Sequence, residues 1–307
     1  MIRKERLMDK EALKGYLAKH RSEVDQLLQS YLPGPKCQPT LIHEAVRYSL
    51  FAGGKRLRPV LCLAACEAVG GRKEVALPFA SAVELIHTYS LIHDDLPAMD
   101  NDSYRRGKLT NHKMFGESTA ILAGDALLTA AFTLIAEKGL AGPVSPKKIL
   151  SVILELGSAS GSTGMVGGQL VDIQSQGKKG IDLEKLNYIH SHKTGALIRA
   201  SVRIGGLLGG AGPKKLSNLT RYGEKAGLAF QIVDDLLDVE GEEKELGKPV
   251  GKDHSKEKWT YPGLIGPERA RKEAEILVEE ALAELALFGS EADPLRQIAI
   301  YMVERKK

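Results

Sequence analysis

The feature that most constrains this chain is a run of carboxylates at the end of an apolar segment. Val83, Leu85, Ile86, Tyr89, Leu91 and Ile92 are dense enough to form a buried helix, and they lead straight into Asp94, Asp95, Asp100 and Asp102. Such a helix is electrostatically unfavourable unless a cation joins it, because like charges repel and desolvated ions are costly. The pattern returns far downstream in Phe230-Gln231-Ile232-Val233-Asp234-Asp235-Leu236-Leu237-Asp238. On a helix Asp234 and Asp238 share a face, with about 5–6 Å between their Cβ atoms. Two acidic clusters, each followed by basic residues, point to carboxylates that hold Mg2+ against the phosphates of a substrate. Mg2+ is usually bound by a few carboxylates together with substrate oxygens. Asp94 and Asp100 would lie on different faces of an unbroken helix. Pro97 predicts the resolution: it removes a backbone N–H and disfavours helical geometry at Leu96, so the helix bends or ends and Asp100 returns towards Asp94.

The remaining spacing is helical. Helices are expected over residues 9–31, 40–52, 60–69, 117–137, 147–160, 183–208, 218–240, 268–287 and 294–304, besides the one ending at Asp94. Pro33-Gly34-Pro35, Gly53-Gly54, Gly70-Gly71 and the prolines 143 and 146 separate them. The glycines between Gly161 and Gly168 predict a kink or a close backbone approach near Gln169 and Asp172. No stretch alternates as a strand and no period repeats, so the expected fold class is all-α.

Basic and polar groups gather around the acidic helices in sequence. Lys55, Arg56 and Arg58 follow two glycines at a helix junction, which reads as an anion site or, alternatively, as a solvated basic turn. His87 lies two helical turns before Asp94 on nearly the same face. Arg105 and Arg106 follow the first acidic cluster, and His192-Lys193-Thr194-Gly195 sets a cation and a hydroxyl where a helix is expected to break. Between Gly241 and Lys258 lie Lys244, Lys248, Lys252, Lys256 and Lys258, the composition of a cationic loop able to close over phosphates.

Composition narrows the partners. The net charge of +4 is too mild to argue for nucleic acid or an anionic membrane surface. The odd trio Cys37, Cys62 and Cys66 argues against a disulfide framework. No apolar run is read as reaching the roughly 18 residues of a membrane span, and the charged N-terminus lacks the apolar core of a signal peptide. The expected location is cytoplasmic.

The whole pattern resembles the trans-isoprenyl diphosphate synthases, and among them the bacterial farnesyl diphosphate synthases. The match runs from Gly53-Gly54-Lys55-Arg56-Leu57-Arg58-Pro59 through the segment Glu84 to Asp95, Met165 to Gln169, and His192 to Gly195. It continues through Gln231 to Asp238 and Leu246-Gly247-Lys248. The resemblance implies a single polyprenyl synthetase domain over 1–307, a helical bundle around a central apolar cavity, and a homodimer. It implies that Asp94, Asp100 and Asp234 ligate three Mg2+ ions bridging an allylic diphosphate, which Arg105, Lys193, Lys248 and, on the closing loop, Lys258 would contact. Lys55, Arg58, His87 and Arg106 would bind the diphosphate of isopentenyl diphosphate, and Thr194 and Gln231 would sit near the developing carbocation. With Lys193, these two form the expected catalytic set.

A bulky aromatic at Tyr89 goes, in that family, with stopping at C15, so the expected reaction is synthesis of farnesyl diphosphate. Geranylgeranyl diphosphate (C20) is the alternative. Two further readings compete: a metal-dependent phosphohydrolase built on His93-Asp94, and a non-catalytic subunit of a heteromeric synthase. Ser103-Tyr104 and Leu109 depart from the family's usual residues around Arg105.

Overall fold

The protein was analysed as a computed structural model, which describes residues 9–178, 180–240 and 259–304. Asp9 accepts a hydrogen bond from the Ala12 amide at 2.7 Å and starts α1, Lys10–Tyr31. Then follow α2 (Thr40–Leu50), α3 (Leu57–Ala68) and α4 (Lys73–Asp94). A short connection leads to α5 (Asn111–Phe115), α6 (Glu117–Ala141) and α7 (Pro146–Ser160), the last capped by Ser145 with proline in the first turn. Beyond it come α8 (Met165–Ser175), α9 (Leu183–Ile189), a π-helical turn (His190–Gly195) and α10 (Ala196–Gly209). The chain closes with α11 (Pro213–Glu240), α12 (Tyr261–Ile265), α13 (Pro267–Glu284), a 3-10 turn at Ser290–Ala292 and α14 (Asp293–Glu304).

The fold is all-α, as the spacing predicts. Its centre is α4, which packs on α3, α6 and α10. Buried side chains from α3, α4, α6, α7 and α10 form the principal apolar cluster, and a second joins α3 to α11, α13 and α14. The helix periods are right to within a few residues. The spacing marks no helix at α5, α8 or α12, and two further local features differ from the sequence reading. Tyr104–Arg105 and Lys108–Leu109 pair as a two-rung antiparallel hairpin. Its turn residues, Arg106 and Gly107, have φ of 52° and 74°, the left-handed geometry that matches hairpin twist. Two residues per strand are too few to leave an alternating pattern. At His190–Gly195 the helix widens into a π turn instead of breaking, and α10 continues from it.

The expectation that no apolar run reaches membrane length is also corrected. Lys73–Asp94, Glu117–Ala141 and Pro146–Ser175 are long and apolar enough, by length and composition, to cross a membrane. For α4 the reason is its central position: neighbours on several sides require apolar residues around most of the helix, and 67% of the apolar window is buried. In α6 and α7, Leu122, Leu140, Leu150 and Leu154 instead stand exposed on the outer surface.

Candidate active site

Helix α4 ends as Pro97 predicts. The Asp100 amide donates to the Asp94 carbonyl at 2.8 Å and the Asn101 amide to the Leu96 carbonyl at 3.0 Å, with Asn101 at φ 49°. The backbone therefore doubles back and brings Asp100 to Asp94. The electrostatics record the crowding. Burial raises the Asp94 carboxyl, Lys193 draws it down and Asp100 pushes it up again, leaving it at about 6.

Asp94 opens into a cavity of about 510 Å3 beneath it. Of the residues expected in a site, Arg58, His87, Tyr89, Asp94, Lys193 and Thr194 line this one chamber. Its remaining wall is mostly apolar, with Leu91, Met99, Met165, Val166, Leu170 and Ile173. Five structural segments thus converge on one space, although their residues are up to 136 positions apart.

The cationic side of the chamber centres on Arg58 and His87. Arg58 Nη1 lies 3.4 Å from His87 Nε2, and the buried Arg58 Nε has no hydrogen-bond partner. Burial lowers Arg58, with Glu84 and Asp234 acting in the opposite direction. Burial and then the Arg58 charge hold His87 well below its usual range, so it is neutral at pH 7 and accepts from the guanidinium. Asp234 raises Arg58 through its charge, so the second acidic helix lies within electrostatic reach of the chamber's cationic wall. Lys55 extends over the Tyr301 ring at 5.5 Å, and Arg106 reaches the Gly53 carbonyl. Gly54 makes room for it: a Cβ there would lie 2.8 Å from the Arg106 guanidinium carbon.

Other expected residues are engaged differently. Arg105 holds Asp95 through Nε at 2.8 and 2.9 Å and through a terminal nitrogen at 2.7 Å, so Asp95 serves as its anchor. The Gln231 amide donates to Asp235 at 3.3 Å, and Gln231 is not among the residues lining the chamber. Tyr89 is 6% exposed and meets His93 edge-on at 5.8 Å. Lys248 and Lys258 lie outside the described residues.

Two residues that sequence reasoning left without a role belong to the site. Asp172 accepts from Lys193 Nζ at 2.6 Å. Burial alone would lower the Lys193 ammonium, but Asp172, Asp94 and Asp100 together lift it to about 12. Gln169 lines the chamber with both amide atoms buried and without a protein partner. The glycines beside it were the available signal: a Cβ on Gly168 would fall 2.2 Å from the Lys193 backbone nitrogen.

The donor chemistry fits Mg2+ held jointly with a diphosphate. Among the described residues no group of three or more His, Cys, Asp or Glu side chains forms a metal cage, so the protein alone would be an incomplete ligand set. Asp94 is nevertheless raised by burial and by Asp100, a state that a divalent cation relieves. His93 also lines the chamber, but one of its ring nitrogens is turned towards α6. Its Nε2 lies 3.0 Å from the Ile121 carbonyl, and it packs so tightly on α6 that a Cβ on Gly124 would fall 2.0 Å from that nitrogen.

Residues 39–288 match the protein family described as polyprenyl synthetase. A geranylgeranyl diphosphate synthase of Cyanophora paradoxa is 51% identical, over 94% of this chain and 95% of its own. The solved structure of an FPP/GFPP synthase from Zymomonas mobilis superposes with a TM-score of 0.84 at 40% identity, covering 95% of this chain and 98% of that one. A geranylgeranyl pyrophosphate synthetase from Pyrococcus horikoshii gives 0.87 at 33% identity, over 96% and 99%.

Proposed function

The chain belongs to the polyprenyl synthetase family and is a chain-elongating prenyltransferase, and from that premise we propose that it adds isopentenyl diphosphate head-to-tail to allylic diphosphates up to geranylgeranyl diphosphate, C20. The observation that carries the reaction is one apolar chamber with two charged sectors. Asp94 and Lys193 occupy one, with Asp100 acting on Asp94 from beside it; Arg58 and His87 occupy the other.

Asp94, Asp100 and Asp234 would hold Mg2+ with the allylic diphosphate, and Arg105 and Lys193 would add positive charge around it. Bound there, Mg2+ would neutralise the charge growing on the departing diphosphate. Arg58 and neutral His87, joined by Lys55 and Arg106, bind the diphosphate of isopentenyl diphosphate, so the two anions are held apart while their hydrocarbon ends meet. The allylic C–O bond breaks and releases diphosphate, the cation is attacked by the neighbouring double bond, and a proton passes to the released diphosphate to form the new allylic product. Thr194 and the unpartnered Gln169 amide supply dipoles next to the cation. The apolar wall excludes water that would quench it.

The C20 end point is supported by the name of the Cyanophora relative. A second reading, C15, is supported by Tyr89, whose ring occupies the wall just below Asp94, and by the Zymomonas enzyme's name. The bare leucines of α6 and α7 support pairing with a second copy of the chain. Incubation with Mg2+, isopentenyl diphosphate and dimethylallyl, geranyl or farnesyl diphosphate, with mass spectrometry of the products, tests the proposal. A C20 product supports the first reading and a C15 limit the second. Diphosphate release from a single substrate without chain growth would refute both.

A further inference from the structure

We propose that Asp235, which its sequence context groups with the metal-binding carboxylates, is a positioning residue that acts through His190 on the π-helical turn carrying Lys193 and Thr194. The kinetic consequence rests on the prenyl-transfer reading above; the contact itself rests on geometry.

Asp235 follows Asp234 by one residue, so on α11 its side chain points about 100° away. It is 5% exposed. One carboxylate oxygen accepts from His190 Nε2 at 2.9 Å and from the Tyr261 amide at 3.0 Å; the other accepts from the Gln231 amide at 3.3 Å. A carboxylate has about four acceptor positions, and three protein donors already use this one. His190, 7% exposed, stacks on the Tyr261 ring at 5.6 Å and 16°. The Tyr261 hydroxyl in turn meets Asn187 on α9. Asp235 therefore sits in a closed polar cluster joining α9, the π turn, α11 and α12.

The turn needs such an anchor. A π segment holds an extra residue relative to an α-helix, and closing it would rotate one flank against the other by about 100°. Lys193 would then lose its 2.6 Å contact with Asp172 and its place in the chamber wall. His190 is the first residue of the turn, and the Gly168 contact fixes it further along at the Lys193 backbone. Asp235 holds the first of these two points.

The test separates positioning from metal ligation by comparing turnover with Mg2+ dependence. Asp235→Ala and His190→Leu should each lower kcat by about 10²-fold, the usual effect of an ångström-scale misplacement, while half-saturating Mg2+ stays within about twofold of wild type. Asp234→Asn, as the metal-site control, should shift half-saturating Mg2+ strongly. His190→Gln, which keeps an N–H donor, should recover most of the lost turnover. The double variant Asp235→Ala/His190→Leu should be no slower than either single one, because both remove the same contact. Circular dichroism and thermal melting confirm that each variant is folded. Should a variant fail to fold, Asp235→Asn, which keeps an acceptor oxygen, takes its place with a smaller loss. A rise in half-saturating Mg2+ on changing Asp235, additive losses in the double variant, or unchanged turnover would each overturn the proposal. If the wild-type protein forms no condensation product, the reaction reading falls separately. Calorimetric binding of inorganic diphosphate with Mg2+ then decides the positioning claim: Asp235→Ala should weaken it as much as Lys193→Ala does, and unchanged affinity refutes it.

Discussion

Replacing Asp94 by asparagine should abolish turnover and yet make the metal-free protein more stable at neutral pH. The carboxyl is raised from 3.8 to about 6, first by burial, with Lys193 opposing and Asp100 reinforcing. About two pH units at 1.36 kcal/mol each place roughly 3 kcal/mol against the ionised form. Asp94 keeps a partial opening to the chamber, and solvent there screens the charge, so the expected gain is about 1–3 kcal/mol. A carboxyl whose folded pKa exceeds its unfolded value weakens the fold when ionised. The penalty is complete above about pH 6, shrinks as pH falls through that value and vanishes below about 3.8. Urea denaturation in chelator at about pH 7.5 and again at about pH 5 measures both proteins. The variant should lead at the higher pH and the gap should narrow at the lower. Adding Mg2+ and inorganic diphosphate should then stabilise the wild type by ligand linkage and leave the variant nearly unchanged. A variant no more stable than wild type in chelator, or a gap indifferent to pH, would refute the reasoning.

Tyr89→Ala should lengthen the product by at least one C5 unit relative to wild type, read by mass spectrometry; an unchanged product removes Tyr89 from control of length. Its cost in stability should stay below the roughly 3–5 kcal/mol of an aromatic truncation in a closed core, since the ring already borders open space. Gly168→Ala should lower both melting temperature and kcat, because its Cβ meets the Lys193 backbone at 2.2 Å; an overpacking cost of about 1–3 kcal/mol is expected by calorimetry. Asp95→Ala should release Arg105 and raise KM for the allylic substrate several-fold more than KM for isopentenyl diphosphate, a split that steady-state kinetics detects.

Much of this was legible in the sequence because it is local. Apolar spacing located the helices, and Pro97 foretold the reversal that joins Asp100 to Asp94. What remained hidden depends on partners distant in the chain. Asp172 meets Lys193 across 21 positions, and no spacing rule marks that pair. Asp95 and Asp235 look like further members of acidic clusters, yet each is taken by a neighbour, Arg105 in one case and His190 in the other. The direction of the Gln231 amide, which donates to Asp235, was hidden for the same reason. The length and apolarity of α4 also misread easily, since burial on several sides produces the composition of a membrane helix.

The approach of Gly168 to the Lys193 backbone has a practical side for protein engineering. Helix α8 and the π turn share an edge with no slack, so any redesign of the hydrocarbon tunnel through Val166, Leu170 or Ile173 will drag the chemistry along with the shape. The opposite bank, around Tyr89 on α4, acts on Lys193 through the charge of Asp94. Changes made from that bank should alter product length at a smaller cost in rate, which product analysis together with kcat measures.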